Sequence, residues 1–226
     1  MITDGDREDE AMALPEVVSR EQWQAARDAL LVQEKEATRA LDALAAQRRR
    51  LPMVKMPGDY AFTGPSGTAG LRDLFEGRDQ LVVYQFMDNG PDDICSGCAS
   101  FTDNVGRLEH LHARNTSYAV VSNMPLTQLL QVRDRMEWTV PVWSSRGTTF
   151  SDDIGAGGGF GLAVFVTDGT DVFQTYLTSA RGVDRLRFDF NILDLTPYGR
   201  QESWEDSPLG WPQTQPYSWW RLHDEY

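Results

Sequence analysis

The sequence predicts an α/β fold with a central mixed β-sheet, and three features of its 226 residues carry that expectation. Between residues 80 and 193, strand-like and helix-like segments follow in the order β, α, β, α, β, β, α, the pattern of a sheet with helices laid on it. Two of the strands, Leu162 to Thr167 and Val172 to Leu177, are joined by Asp168-Gly169-Thr170-Asp171, a hairpin signal. Hydrophobic residues make up 41% of the chain, enough to bury a sizeable core.

Charge narrows the partners. The chain has 21 basic and 34 acidic residues, a formal net of −13. It therefore repels phosphate backbones and anionic bilayers, so neither nucleic acid nor membrane is expected as a partner. The longest uninterrupted apolar run, Leu162 to Val166, is far short of the roughly 20 residues a spanning helix takes. Residues 1–10 offer neither the basic start nor the apolar stretch of a secretory signal, and the expected location is the cytoplasm.

Four regions are expected along the chain. Residues 1–16 carry six acids against one base and read as a solvated, disordered tail. Residues 17–52 read as a long helix. Ser19 and Gln22 form a capping-box signature, no Gly or Pro intervenes before Arg50, and Pro52 stops the run. Trp23, Leu30, Ala37, Leu44 and Leu51 recur every seven residues, a stripe that suits either packing on the core or a homodimer.

Residues 53–195 hold the sheet. Tyr60 to Thr63 alternates like a strand, Gly64 to Gly67 is a turn, and Leu71 to Phe75 a short helical turn. Gln80 to Met87 is a strand rich in β-branched and aromatic residues, followed by a polar loop and a helix from Cys95 to about Ala113. Thr116 to Ser122 is the next strand, Leu126 to Glu137 the next helix, and Val140 to Trp143 a further extended piece. Residues 151–161 read as a Gly-rich loop and Val183 to Leu193 as a helix. Residues 196–226 form a Pro- and Trp-rich extension holding four of the seven Trp, expected to pack on the domain or on a partner subunit.

The chemistry sits at Cys95-Ser96-Gly97-Cys98, between a strand and a helix. Only a thiolate attacks sulfur, and unpaired N–H groups at a helix N-terminus favour that charged form. A second cysteine one turn on can resolve the mixed disulfide. A tetrahedral zinc site needs about four ligands, usually a second C-x-x-C or an H-x₃₋₅-H. Here His110 and His112 stand two apart and point to different sides of a helix. No metal and no cofactor are expected. The run Gly155 to Gly161 lacks the Lys and the strand-to-helix setting of a phosphate loop.

Several stretches make the chain similar to a bacterial thioredoxin-like family of unknown function, often labelled as dithiol–disulfide oxidoreductases. They include Arg49-Arg50-Leu51-Pro52, Leu71-x-Asp73-Leu74-Phe75-x-Gly77-Arg78, Arg135-Met136-x-Trp138, Ala180-Arg181-Gly182, Asp194-Leu195-Thr196-Pro197-x-Gly199-Arg200 and Trp220-Arg221-x-His223-Asp224-x-Tyr226. The chain departs from that pattern at Ser96-Gly97, where Pro is usual, at Met53, where Trp is usual, and at Gln85 and Gln174, where His is common.

The resemblance implies a three-layer thioredoxin-like fold with the long N-terminal helix and the aromatic C-terminal extension added to it. It also implies a role for Val140-Pro141, since in such folds a cis proline opening a strand lies against the attacking cysteine. The expected site is therefore Cys95 as attacking thiolate, Cys98 as resolver and Pro141 as backbone contact, acting on a protein or small-molecule thiol or disulfide.

Two alternatives stand beside that expectation. Pro91 lies seven residues before Cys98, as in peroxiredoxins, which suggests a thiol peroxidase with Cys98 attacking and Arg146 or Arg181 activating it. The other is a non-catalytic thioredoxin-like binding protein, with a homodimer formed through the long helix and the tail.

Overall fold

A computed structural model describes residues 14–226; the expected acidic tail falls outside them except for its last three residues. Backbone proximity divides the chain into two units. Of the described residues, one comprises 14–46 together with Ile192–Trp219, and the other comprises Gln47–Asn191 together with Trp220–Tyr226.

In the first unit, helix α1 spans Arg20–Arg48. Its start is the capping box read from sequence. Ser19 N–H donates to Gln22 Oε1 at 3.0 Å, and Gln22 N–H donates to Ser19 Oγ at 3.2 Å. None of the residues of α1 is buried, and Trp23, Leu30 and Leu44 of the seven-residue stripe stay 45–50% exposed. The extension in this unit is organised by Glu202, which is fully buried. Its side-chain oxygens accept from Trp204 Nε1 at 2.6 Å, Trp219 Nε1 at 2.9 Å and the Tyr217 N–H at 2.7 Å.

The second unit is built on one eight-stranded sheet. Its strands are β1 Val54–Lys55, β2 Phe62–Gly64, β3 Gly67–Ala69, β4 Gln80–Phe86, β5 Thr116–Ser122, β6 Val142–Ser144, β7 Gly161–Thr167 and β8 Val172–Thr178. Their spatial order is β1-β8-β7-β4-β5-β6-β2-β3. β4, β5 and β6 run parallel, β7 is antiparallel to β4, and β8 is antiparallel to β7. The mixed sheet is as expected from the hairpin, which closes through Asp168 Oδ1 accepting from the Thr170 and Asp171 N–H groups at 2.8 and 2.7 Å.

Side chains alternate across the sheet with period two and so build two cores. Leu81, Val83, Ala119, Val121, Ala163 and Phe165 face one cluster, with Phe62, Phe75 and Phe150. Tyr84, Phe86, Tyr118 and Val120 face the other, which is covered by helices α2 (Ser96–Asp103) and α4 (Leu126–Arg135). The other face carries the 3₁₀ turn Asp73–Phe75 and the short helix that begins at Phe150, so the sheet is covered on both sides.

Several boundaries differ from expectation. The helix expected from Cys95 to Ala113 is two, α2 and α3 (Glu109–His112), split around Gly106. The expected loop over 151–161 begins inside a short helix, α5 (Phe150–Asp153), whose Phe150 is fully buried among aromatic rings. The expected helix over 183–193 is a 3₁₀ segment, Ala180–Leu186, followed by α6, Phe188–Leu193. The tail is not one region: Trp220–Tyr226 belongs with the sheet, because Leu222 is buried in the same cluster as Cys98. Among the described residues no helix is long and apolar enough to cross a membrane.

Candidate active site

Strand β4 runs into the loop 87–94, and Cys95 then caps α2. The loop is held by its own polar groups. Asp88 Oδ1 accepts from the Gly90 N–H at 2.9 Å, and Gln128 Nε2 donates to the Gly90 carbonyl at 2.8 Å. As N-cap, Cys95 has non-helical backbone angles, and its Sγ accepts from the Cys98 N–H at 3.3 Å. This is the place where Ser, Thr or Asp would satisfy an unpaired helix donor; here a sulfur does so.

The two cysteines sit in different surroundings. Cys95 is half-buried and Cys98 is 1% exposed, and both are free thiols. The Cys95 thiol is lowered to about 7. The largest cause is the hydrogen bond from the Cys98 side chain, followed by the backbone N–H groups of Cys98 and Gly97; burial and Asp93 oppose. Cys98 is pushed well above the ordinary thiol range, because its S–H is held by Cys95 and because it is buried. The pair therefore sets a half-buried sulfur with a lowered pKa beside a sealed one with a raised pKa.

Tyr84 is a member of the site that sequence reasoning missed. It is 1% exposed on β4, stacks on Phe101 of α2 at 4.2 Å between ring centroids, and draws the Cys98 thiol down against the effect of burial. Burial keeps its own phenol protonated, the form that favours a thiolate at Cys98. The signal was present in the pattern: Tyr84 shares the face of Val82 and Phe86, the face on which a following helix packs.

A Tyr84→Phe variant should slow closure of the Cys95–Cys98 bond by about tenfold, since a hydrogen bond to a charged group is worth roughly 1.5–3 kcal/mol. Release of the second thiol from a small disulfide, followed in stopped flow, measures this. A release rate equal to that of the parent protein would remove Tyr84 from the site.

Pro141 requires a correction. It precedes β6, which pairs with β5 on the side away from β4, so Pro141 lies level with Val83 in the middle of β4 and is separated from it by β5. Its carbonyl accepts from the Val120 N–H at 2.8 Å, an ordinary sheet contact. Among the described residues no peptide bond is cis. The residue that opens the strand beside the carboxyl end of β4 is Phe160. It precedes Gly161, which pairs with Gln85, and it packs on the cluster holding both cysteines.

On the register that makes Cys98 the peroxide-attacking thiol, the attacking sulfur would be one that is 1% exposed, beside the half-buried Cys95. Arg181, one of its proposed activators, pairs with Asp184 at 3.5 Å. Among the described residues no group of three or more His, Cys, Asp or Glu side chains is placed to hold a metal ion.

A parallel pair (β4, β5) flanked by an antiparallel hairpin (β7, β8), with a C-x-x-C capping the helix after β4, defines a thioredoxin-like protein. Within that class the chain belongs to DUF899, a family described as bacterial protein of unknown function, whose model matches residues 12–226.

Solved structures with similar folds include a provisionally assigned protein disulfide isomerase from Bacteroides thetaiotaomicron. That match has 15% identity and a TM-score of 0.41, covering 62% of this chain and 91% of that one. A second is a secreted Mycobacterium tuberculosis disulfide oxidoreductase homologous to E. coli DsbE, at 13% identity and a TM-score of 0.37, covering 56% and 90%. A third is an uncharacterized thioredoxin-like protein from Porphyromonas gingivalis, at 16% identity and a TM-score of 0.39, covering 56% and 81%. Among curated proteins no match to the chain is found.

Proposed function

We propose that the protein is a dithiol–disulfide oxidoreductase in which Cys95 attacks and Cys98 resolves. The observation that carries this reading is the asymmetry of the pair: a half-exposed sulfur fed by the N–H groups of a helix's first turn, and a buried one behind it. The Cys95 thiolate attacks one sulfur of a disulfide RSSR, forming a mixed disulfide and releasing one thiolate. Cys98 then loses its proton and attacks the Cys95 sulfur, releasing the second. Two electrons pass from the protein to the substrate, which leaves as two thiols. In a reducing compartment the dithiol is the resting form and the protein delivers electrons.

The test is trapping. Cys98→Ser should accumulate a stable mixed disulfide with hydroxyethyl disulfide, seen as an added mass that a reductant removes. Cys95→Ser should accumulate none. Adduct on Cys98 in the Cys95→Ser protein at the parent rate would reverse the assignment, and absence of adduct in both variants would end it.

A further inference from the structure

Gly97, between the two cysteines, lies against Trp220 from the end of the chain. A Cβ added at Gly97 would stand 2.5 Å from Trp220 Cζ3 and 3.0 Å from Cε3, so the indole rests directly on the backbone of the C-x-x-C turn. That ring is fixed from behind. Arg187, 2% exposed, lies against both Phe190 and Trp220 with its guanidinium 3.8 and 4.8 Å from the ring centroids, and the two rings are themselves 6.0 Å apart. The same guanidinium forks onto Asp189 at 3.0 and 2.6 Å and donates to Ser100 Oγ of α2 at 2.5 Å.

The residues after Trp220 are tied down along α2 as well. His223 Nδ1 lies 3.0 Å from Asp103 Oδ1, at the far end of that helix. Arg135 of α4 holds Asp224 at 2.7 and 2.9 Å and Glu225 at 2.9 Å. Leu222 is buried beside them. The terminal segment is thus a strap along α2, with its first residue on the dithiol turn.

We propose that Trp220 determines the substrate class of the site, closing the Gly97 side so that Cys95 exchanges with low-molecular-weight disulfides and excludes disulfides carried on proteins. This rests on the oxidoreductase reading above. A small disulfide needs contact with the half-buried Cys95 sulfur and no surface beyond it. A protein disulfide brings flanking chain that must lie on the turn, where the indole already is. Gly97 follows from the same contact, since any larger residue displaces the ring.

Second-order rates of reduction of hydroxyethyl disulfide and of insulin test the proposal, with the parent protein and with Trp220→Ala. The expected result is an insulin rate raised by at least about tenfold in the variant, a change of the size one pocket contact commands, with the small-disulfide rate held within about threefold. An unchanged ratio overturns it. Arg135→Gln, which loosens the strap at the surface and leaves the ring's own contacts in place, should move the ratio the same way by less, and it serves if Trp220→Ala does not fold.

Labelling separates failure of the gate from failure of the oxidoreductase reading, because it needs no disulfide chemistry. Loss of Trp220 should speed reaction of Cys95 with a polymer-tailed maleimide relative to iodoacetamide. That change without reduction of either disulfide would retain the gate and refute the oxidoreductase. Equal labelling ratios in parent and variant would refute the gate.

Discussion

Alkylation of Cys95 by iodoacetamide should rise about tenfold per pH unit up to about pH 7 and level off above it, because only the thiolate reacts and its thiol is lowered to about 7. An unassisted cysteine would go on climbing to about pH 8.5. The cause is local: the Cys98 S–H and the N–H groups of Cys98 and Gly97 all point their positive ends at one sulfur. Cys98→Ala removes the largest of these, so its break should move upward towards the free value. A parent-protein break near the free value would contradict the site as described.

The direction of the associated pH effect follows from the lowered thiol. A group whose acid form is weakened by folding stabilises the fold above its unfolded pKa, and that contribution is lost as pH falls through about 7. It exists only in the dithiol protein, since the disulfide carries no titrating sulfur. The reduction potential should therefore fall by about 59 mV per pH unit below the break, where two protons accompany two electrons, and by about 30 mV above it, where one does.

The second large effect concerns Glu202. Its fully buried side chain accepts from two Trp rings and a backbone N–H, so Glu202→Ala leaves three donors facing a void. At about 1–3 kcal/mol for each donor left unsatisfied, the loss comes to roughly 3 kcal/mol or more. For a chain of this size that corresponds to a melting point lower by about 6–12 °C, measurable by calorimetry. Glu202→Gln keeps the shape but sets an amide N–H₂ against one of those donors, and should fall between parent and Ala. A variant melting with the parent would show that the extension is held by its aromatic contacts alone, such as Tyr198 on Trp211 at 5.2 Å.

Much of the fold could be read in advance because its signals are local. The capping box at Ser19 and Gln22, strand Thr116–Ser122 and the hairpin at Asp168 each depend on residues within a few positions of one another. The errors occurred where distant packing overruled local pattern. Phe150 draws the following residues into a helix because it is buried against Tyr60, Phe62 and Phe165, far away in sequence. Pro141 looked suited to the site because it precedes an extended segment, and which strand it precedes is a question of sheet order.

The same division runs through the function. From residue order alone came the C-x-x-C, its place between a strand and a helix, and hence the helix-end donors available to the first sulfur, since all of these lie within one turn of chain. Tertiary structure decided which sulfur is open and which is sealed, put Tyr84 behind Cys98, and laid Trp220 on Gly97 across more than a hundred residues of sequence. Burial and the company of a side chain are set by every layer folded over it, and no stretch of neighbouring residues contains that information.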